Sequence, residues 1–378
     1  MKVMNPRLVQ FAKRIDFVWR ILACIAPSRK RSPHPITSIL VVDLHLLGDV
    51  VMLVPLLKAL RDRYPLVKIS LLAGPWAHAI LSGTQLVDEI ITYVAPWVKT
   101  TSLLHAVFGY FRMCSRLRVN RWDVGIDVRG DIRQILMLYI SGCKRRVGFN
   151  FTGGGSLLTD IVPDDGEIRH ILDHHERIAN HLDAWNGQPF VPALTLNLTE
   201  RRTAENILPF IGIHLGASLP LRRLPLDEAV ALVSFCSQSE DLVILFSTPE
   251  MEDYTEEVIG LLPKVLLHKI EIWRGTLREF IVKASRARRV FAMDSGPAHI
   301  SAALGCETIV FFGPNLPKNT GPRGHRVHFL EDTSVVCRPC DQHHCINSRH
   351  QACMLGSVNV WAQKHRSIIQ LVSYQDNL

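Results

Sequence analysis

One pattern recurs along this chain. A short apolar run ends in small or acidic residues and is followed by a helical pattern. The first occupies residues 36 to 43, and a helix with an apolar face follows it to about residue 64. A later run, residues 290 to 293, stops at Asp294-Ser295-Gly296, where Pro297 suits a first helical turn. Strands that alternate with helices predict parallel sheets covered by helices on both faces. We therefore expect a doubly wound α/β protein with ligands beyond the carboxyl ends of its strands.

The length of the chain, 378 residues, is sufficient for two domains. The strand and helix pattern loosens at residues 188 to 209, and a second α/β series begins at residue 210. We place the boundary there, which predicts one domain at residues 36–190 and another at 191–378. The apolar runs are also too short for a membrane-spanning helix, which needs roughly 18 residues.

Positive charge is concentrated at the N-terminus. The net charge is +8, and residues 1–35 contribute most of it, with eight Lys or Arg side chains against a single Asp. The rest of the chain is close to neutral, which argues against a nucleic-acid-binding protein. Apolar residues recur in this arm at helical intervals, so residues 1–31 are expected to form a basic amphipathic helix. Such a helix suits an anionic membrane surface, although its apolar stripe could instead pack on the body of the protein.

Charged side chains follow two strands of the first predicted domain. Asp49 comes after the first strand, where it is either a helix cap or a functional carboxylate. Arg129, Asp131 and Arg133 follow the strand at residues 122 to 128. Guanidinium groups bind carboxylates and phosphates in a fork, so this group suits an anionic or hydroxyl-rich ligand. A solvated turn is the alternative interpretation.

The turn at residues 294 to 296 is a candidate phosphate site in the second domain. Backbone N–H groups at a helix start are unpaired and carry positive dipole, so they can bind phosphate oxygens. Asp294 and His299 flank this turn; alternatively, they are a helix cap and a packed histidine. Two further predicted strands end near candidate residues. Ser218 and Arg222 follow one of them, and Gly313 follows the other. Together these strand ends predict a phosphate-bearing ligand in the C-terminal half.

These motifs, in this order, resemble glycosyltransferase family 9, the ADP-heptose lipopolysaccharide heptosyltransferases. The resemblance runs from about residue 36 to the C-terminus. It is carried by Leu-Gly-Asp-Val-Val at 47 to 51, Gly-Ala-Ser at 216 to 218, Asp-Ser-Gly-Pro-Ala-His at 294 to 299, and Phe-Phe-Gly-Pro-Asn at 311 to 315. It implies a GT-B fold, in which two Rossmann-like domains face each other across a cleft. The acceptor would bind the N-terminal domain and the nucleotide sugar the C-terminal one.

The resemblance also assigns roles to individual residues. Asp49 matches the proposed general base of the family. The other matches are with donor-binding positions: Ser218, Arg222, Asp294, Ser295, Gly296, His299 and Gly313, with Glu252, or alternatively Glu250, as the ribose ligand. One departure is that the family usually has Lys-x-Trp-Pro where this chain has Arg222-Arg223-Leu224-Pro225.

The implied reaction is inverting transfer without a catalytic metal or other required cofactor. ADP-heptose would be the donor, and a lipid-anchored saccharide of the lipopolysaccharide core the acceptor. Arg129, Asp131 and Arg133 would then face the acceptor. The enzyme would be cytoplasmic and peripheral on the inner face of the membrane, held there by residues 1–31. The alternatives are a sugar-nucleotide epimerase of the same fold and a non-catalytic nucleotide-sugar or membrane-binding scaffold.

A group of cysteines near the C-terminus is a candidate metal site. Cys337, Cys340, Cys345 and Cys353 have the spacing C-x2-C-x4-C-x7-C. Four thiolates satisfy tetrahedral zinc, so a structural zinc site is one expectation. Reduced thiols and disulfides are the alternatives. The histidines at positions 170, 174, 175 and 181 have no convincing ligand spacing, and we interpret them as a polar helix face.

Overall fold

The computed structural model describes residues 35–98, 102–239, 241–340 and 342–358. The basic arm predicted for residues 1–35 lies outside the described residues, apart from its last residue. The chain divides into two compact units, and the division falls between Val191 and Pro192.

The first unit alternates strands with helices. Its strands are β1 (Ser38–Asp43), β2 (Lys68–Ala73), β3 (Glu89–Thr92), β4 (Val124–Asp127), β5 (Arg145–Gly148) and β6 (Asp160–Ile161). Its helices are α1 (Leu47–Arg63), α2 (Trp76–Leu81), α3 (Leu103–Arg118), α4 (Ile132–Ile140) and α5 (Ile171–His181). The strands form one sheet in the order β3-β2-β1-β4-β5-β6, and every neighbouring pair is parallel.

The second unit repeats this arrangement. Its strands are β7 (Phe210–His214), β8 (Val243–Phe246), β9 (Ile270–Trp273), β10 (Ala287–Met293), β11 (Glu307–Phe312) and β12 (Val327–Glu331). Its helices are α6 (Leu198–Glu205), α7 (Leu226–Cys236), α8 (Glu252–Gly260), α9 (Leu277–Ala284), α10 (Gly296–Ala303) and α11 (Pro317–Thr320). The parallel sheet has the order β12-β11-β10-β7-β8-β9.

In both sheets, the order in which the chain adds strands therefore reverses at a central strand pair. In the first unit the chain moves outward from β1 to β3 and then returns to β4, which lies beside β1. In the second unit β10 lies beside β7 in the same way. In doubly wound sheets, ligands bind outside the carboxyl ends of the strands at such a switch point. The loops after β1, β4, β7 and β10 are thus the places where a functional site is expected.

The central strands form around continuous apolar runs, residues 39–42 in β1 and 290–293 in β10. Leu40, Val41 and Val42 of β1 are fully buried, as are Val290 and Met293 of β10. A continuous apolar run of this kind is typical of a parallel strand covered on both faces. The α/β fold class predicted from the sequence is confirmed. Among the described residues, no helix is long and apolar enough to cross a membrane.

Candidate active site

Asp49 lies at the switch point of the first unit, in the first turn of α1. One of its carboxylate oxygens accepts a hydrogen bond from the backbone N–H of Leu46 at 2.9 Å. The other lies 3.1 Å from Nη1 of Arg129, on the loop after β4. The side chain is 14% exposed. Asp49 therefore caps its helix and also keeps a partly accessible carboxylate, so the two interpretations of this residue are compatible.

Buried polar contacts shape the loop that carries Arg129. Asp127, the last residue of β4, is fully buried, and its carboxylate accepts hydrogen bonds from the backbone N–H groups of Arg129 (3.3 Å) and Asp131 (3.1 Å). Burial, together with the nearby charge of Asp131, raises the pKa of Asp127 well above its ordinary value. The loop thus has a fixed shape, and it presents the almost fully buried Arg129 to Asp49.

Asp131 and Arg133 pair with each other. Asp131 is the N-cap of α4, where its buried carboxylate accepts from the backbone N–H of Arg133 at 2.9 Å and also binds the Arg133 guanidinium. The same guanidinium lies over the Trp97 ring, 4.1 Å from its centroid. Asp131 therefore caps a helix and orients an arginine, whereas Arg133 itself stays a quarter exposed. Of the two, the arginine is the one accessible to a ligand.

The sequence analysis missed three polar residues at this switch point. Asp43 ends β1 and is fully buried, and His45 Nδ1 lies 3.2 Å from one of its carboxylate oxygens. Gln134 of α4 places its amide nitrogen 3.2 Å from the same ring nitrogen. His45 precedes Asp49 by four residues on the same strand-to-helix connection. An aspartate and a histidine directly at a strand end were the available signal.

The polar helix face predicted from the histidines is wrong for His174 and His175. Both are buried on α5, and His175 Nδ1 donates a hydrogen bond to the carbonyl of Met52 in α1 at 3.1 Å. Burial, and next the charge of Arg129, lowers the pKa of His175 to about 3. Burial likewise lowers the pKa of His174 to about 4. These rings are neutral packing groups: His175 holds α5 against the helix that carries Asp49, and His174 packs on Phe149 and Phe151.

The buried ring of His175 should make the protein sensitive to mild acid. Its pKa is about 3 in the folded chain against an ordinary 6.5, so protons favour the unfolded chain between these values. Lowering the pH from 7 to 5 should therefore cost about 2 kcal/mol of unfolding free energy from this residue. Urea unfolding at both pH values would measure the effect. The variant His175→Gln should show a smaller pH dependence by about this amount, whereas His78→Gln, at an exposed position, should behave as wild type. An equally steep profile for His175→Gln would contradict the assignment.

The predicted phosphate turn lies at the switch point of the second unit. β10 ends at Met293, Ser295 is the extended N-cap, and α10 begins at Gly296. Asp294 is 5% exposed. Its carboxylate accepts from Asn315 Nδ2 at 3.1 Å, and the same oxygen lies 3.3 Å from Nη1 of Arg222. The turn therefore has its backbone fixed from both sides.

Arg222 joins the loop after β7 to this turn. Its Nη1 also lies 3.4 Å from the Asp294 carbonyl, and its Nε donates to Oε1 of Gln342 at 2.5 Å. The predicted proximity of the 218 to 222 loop to the turn is thus found at Arg222, while Ser218 is exposed nearby on the chain. Gln342 and Asn315 were not selected from the sequence, because each reaches the site only through the folding of its own loop.

The remaining predicted donor residues have different surroundings. His299 is buried within α10. Glu252 begins α8 and pairs with Arg274 at 2.8 Å, with its side chain about half exposed. Gly313 is covered: a Cβ there would lie 2.4 Å from Sδ of Met354. Glycine at 313 is therefore required for packing.

The Cys-rich segment, residues 337–353, packs on both loops of this site. Arg338 donates to the carbonyls of Phe312 at 3.2 Å and Asn315 at 2.9 Å, on the loop after β11. Gln351 donates to the Arg223 carbonyl at 3.2 Å, on the loop after β7. The Cys-rich segment thus fixes the two loops relative to each other.

The four cysteines of this segment do not support the zinc expectation. Cys337, Cys340, Cys345 and Cys353 line one cavity of about 20 Å³, room for about a single water molecule, and all are free thiols. Within the described residues, no group of three or more His, Cys, Asp or Glu side chains is arranged to hold a metal ion. Two of the sulfurs instead accept local hydrogen bonds, Cys337 from Asn347 and Cys345 from the backbone of Gln351.

Each unit therefore has an acid and an arginine that meet across its switch point. Comparison with known proteins decides what this arrangement belongs to: residues 110–350 match the model of glycosyltransferase family 9 (heptosyltransferase). The chain belongs to this family. The resemblance stated from the sequence is confirmed, and the chain is a glycosyltransferase.

The matches between this family 9 protein and its relatives cover most of its length. A lipooligosaccharide heptosyltransferase 2 from Haemophilus influenzae is 23% identical over 80% of this chain and 88% of its own. The structure is similar to that of the Escherichia coli ADP-heptose lipopolysaccharide heptosyltransferase II, with a TM-score of 0.67, 19% identity, and coverage of 87% of this chain and 100% of that one. A family 9 glycosyltransferase from Veillonella parvula gives a TM-score of 0.70, 16% identity, and coverage of 88% and 97%. These structures confirm the GT-B fold class.

Proposed function

We propose that this family 9 protein is an inverting heptosyltransferase that moves heptose from ADP-heptose to a lipopolysaccharide-core or other lipid-linked saccharide. The donor and acceptor classes are supported by the names of the similar Escherichia coli and Haemophilus influenzae proteins. The observation that carries the proposal is the acid and arginine pair at each switch point, Asp49 with Arg129 and Asp294 with Arg222. Residues 36–190 would bind the acceptor and residues 191–378 the donor.

Asp49 is the group that takes the proton in this reaction. The acceptor oxygen forms a bond to the anomeric carbon from the face opposite the diphosphate, whose C–O bond breaks, and the hydroxyl proton passes to a carboxylate. Asp49 is held by Leu46 and Arg129 and keeps an accessible edge. Arg133, the accessible arginine at this switch point, would contact anionic groups of the acceptor, with Asp131 orienting it and Arg129 holding Asp49.

The turn at Asp294 to Gly296 holds the nucleotide diphosphate in this proposal. Negative charge builds on the departing diphosphate, and the N–H groups at the start of α10 with the Arg222 guanidinium would stabilise it. These groups supply the charge that a metal would otherwise provide, which supports metal-independent transfer. Ser218, Glu252, His299 and Gly313 complete the proposed donor region, with Gly313 acting through packing.

The acceptor class also supports a location at the membrane. A lipid-linked saccharide lies in a bilayer, and the basic residues 1–31 would hold a cytoplasmic enzyme on an anionic inner surface. Removing residues 1–31 should then lower the share of the protein found in the membrane fraction.

Selective stabilisation by ADP-heptose is the result expected from this proposal. A ligand that binds only the folded state at about 100 times its Kd adds about 2.7 kcal/mol, or about 5 to 10 °C in Tm. Thermal unfolding with ADP-heptose, UDP-sugars and GDP-sugars would measure it. The shift should be lost in Asp294→Asn, which keeps the shape of the buried side chain, and should persist in Asp253→Ala at an exposed position.

The possible outcomes separate the identity of the donor from the position of its binding site. A shift with UDP- or GDP-sugars alone would keep the site and change the donor. An ADP-heptose shift that survives in Asp294→Asn would move the donor site elsewhere. The absence of a shift with every nucleotide sugar would refute the proposed function.

A further inference from the structure

Helix α3 has two apolar faces, and only one of them is buried. Tyr110, Met113, Cys114 and Leu117, at intervals of three and four residues, pack into the core of the first unit. The second face consists of Leu104, Val107, Phe108 and Phe111, which we call the α3 stripe. These four have the same helical spacing, so they form one continuous row on the helix.

The α3 stripe is unusually exposed for its size. Leu104 is 83% exposed, Val107 47%, Phe108 70% and Phe111 51%. Single exposed apolar side chains are ordinary on protein surfaces, whereas a contiguous row with two phenylalanines indicates an interaction surface.

The charged side chains of α3 and of the turn after it all have one sign. Residues 102–122 include four arginines, Arg112, Arg116, Arg118 and Arg121, and no aspartate or glutamate. All four arginines are exposed. A surface that combines exposed apolar side chains with arginines is complementary to an anionic lipid headgroup layer above acyl chains.

The same charges disfavour other occupants of this face. A second copy would add four further arginines to this face, and residues 102–122 offer no acidic side chain to pair with them. Residues 1–31 of the same chain are strongly basic and would meet the same repulsion.

We propose that the α3 stripe docks on an anionic bilayer. Phe108 and Phe111 enter the boundary between headgroups and acyl chains, while the arginines of α3 bind lipid phosphates. This contact is separate from residues 1–31 and is independent of which sugar the enzyme transfers. It would give the first unit a membrane contact within its folded body.

Cosedimentation of the full chain with vesicles tests this contact. Vesicles of equal parts phosphatidylglycerol and phosphatidylcholine should bind the wild type, and Phe108→Ser/Phe111→Ser should lower the partition coefficient by about 10-fold or more. Arg112→Gln/Arg116→Gln should weaken binding to these vesicles and reduce its salt dependence, to which the remaining arginines and residues 1–31 still contribute. Leu66→Ser is the matched control, because Leu66 is 97% exposed in the same unit and is not part of α3. It should bind as wild type.

Residues 1–31 are kept in every protein, so the differences between variants report on α3 alone. Circular dichroism melting would confirm that the exposed substitutions leave the fold intact. Equal partition of the wild type and the phenylalanine variant would overturn the proposal. A wild-type dimer that dissociates in the phenylalanine variant would also overturn it, because the face would then join two copies. Loss of vesicle binding with normal transfer to a soluble acceptor would support docking separately from catalysis.

Discussion

Replacing Asp49 by asparagine should lower the turnover number for sugar transfer by about 10²- to 10⁴-fold. An amide cannot take the acceptor proton, but its oxygen can still accept the Leu46 N–H bond that begins α1. Helix capping is therefore retained while the proposed chemistry is removed. Nucleotide-sugar binding should be unchanged, because the donor residues lie in the second unit. Initial rates with saturating donor, together with the thermal shift by ADP-heptose, would measure the two effects.

The control for this substitution lies in the same helix. Asp62 is exposed and pairs with Lys58 at 2.7 Å, so Asp62→Asn should keep wild-type turnover. The substitution at Asp49 also leaves the almost fully buried Arg129 without its counter-charge, which should lower the melting temperature. Rates are therefore compared well below both melting temperatures. Turnover above about a tenth of wild type would mean that Asp49 only caps the helix.

Replacing Arg222 by glutamine should lower the turnover number by about 10²- to 10³-fold, the usual effect of removing one donor that stabilises developing charge. The guanidinium lies beside the turn at Asp294, where the departing diphosphate would gain negative charge. Arg222→Lys should recover most of the loss, because the charge returns at the position where the family usually has lysine. Single-turnover rates with ADP-heptose would separate this effect from donor binding.

Arg288→Gln is the matched control for Arg222. Arg288 pairs with Asp241 near the start of β10, at the opposite end of the strand from Asp294, so transfer should be unaffected. A wild-type turnover number for Arg222→Gln would contradict a role in charge stabilisation and leave Arg222 as a structural partner of Asp294. A lysine variant as inactive as glutamine would show that the forked geometry, as well as the charge, is required.

The fold could be predicted from the sequence because its central strands are continuous apolar runs that end in turn residues. The run at residues 36 to 43 is expected as a strand and contains β1 (Ser38–Asp43). Helix α3 was not selected from the sequence, although its buried residues recur at intervals of three and four.

Individual site residues could be selected, but their pairings could not. The contact of Asp49 with Arg129 depends on β1 and β4 being neighbours, and sequence order does not reveal strand order. The burial of the histidines could not be predicted either. Histidine is a polar residue type, but the ring of His175 is a neutral group in the core of the fold. The cysteine spacing allowed zinc because spacing does not specify how far apart the sulfurs lie in space.

The Cys-rich segment has a consequence for attempts to change the donor sugar of this enzyme. Its hydrogen bonds hold the loop after β7 and the loop after β11 from one short piece of chain. Grafting a foreign 216 to 223 loop alone would exchange Arg222 while its Gln342 partner stays in the old scaffold. A chimera should therefore transplant residues 216–223, 313–315 and 337–353 together as one inherited block. Recombination within that block would separate residues that are joined by these hydrogen bonds.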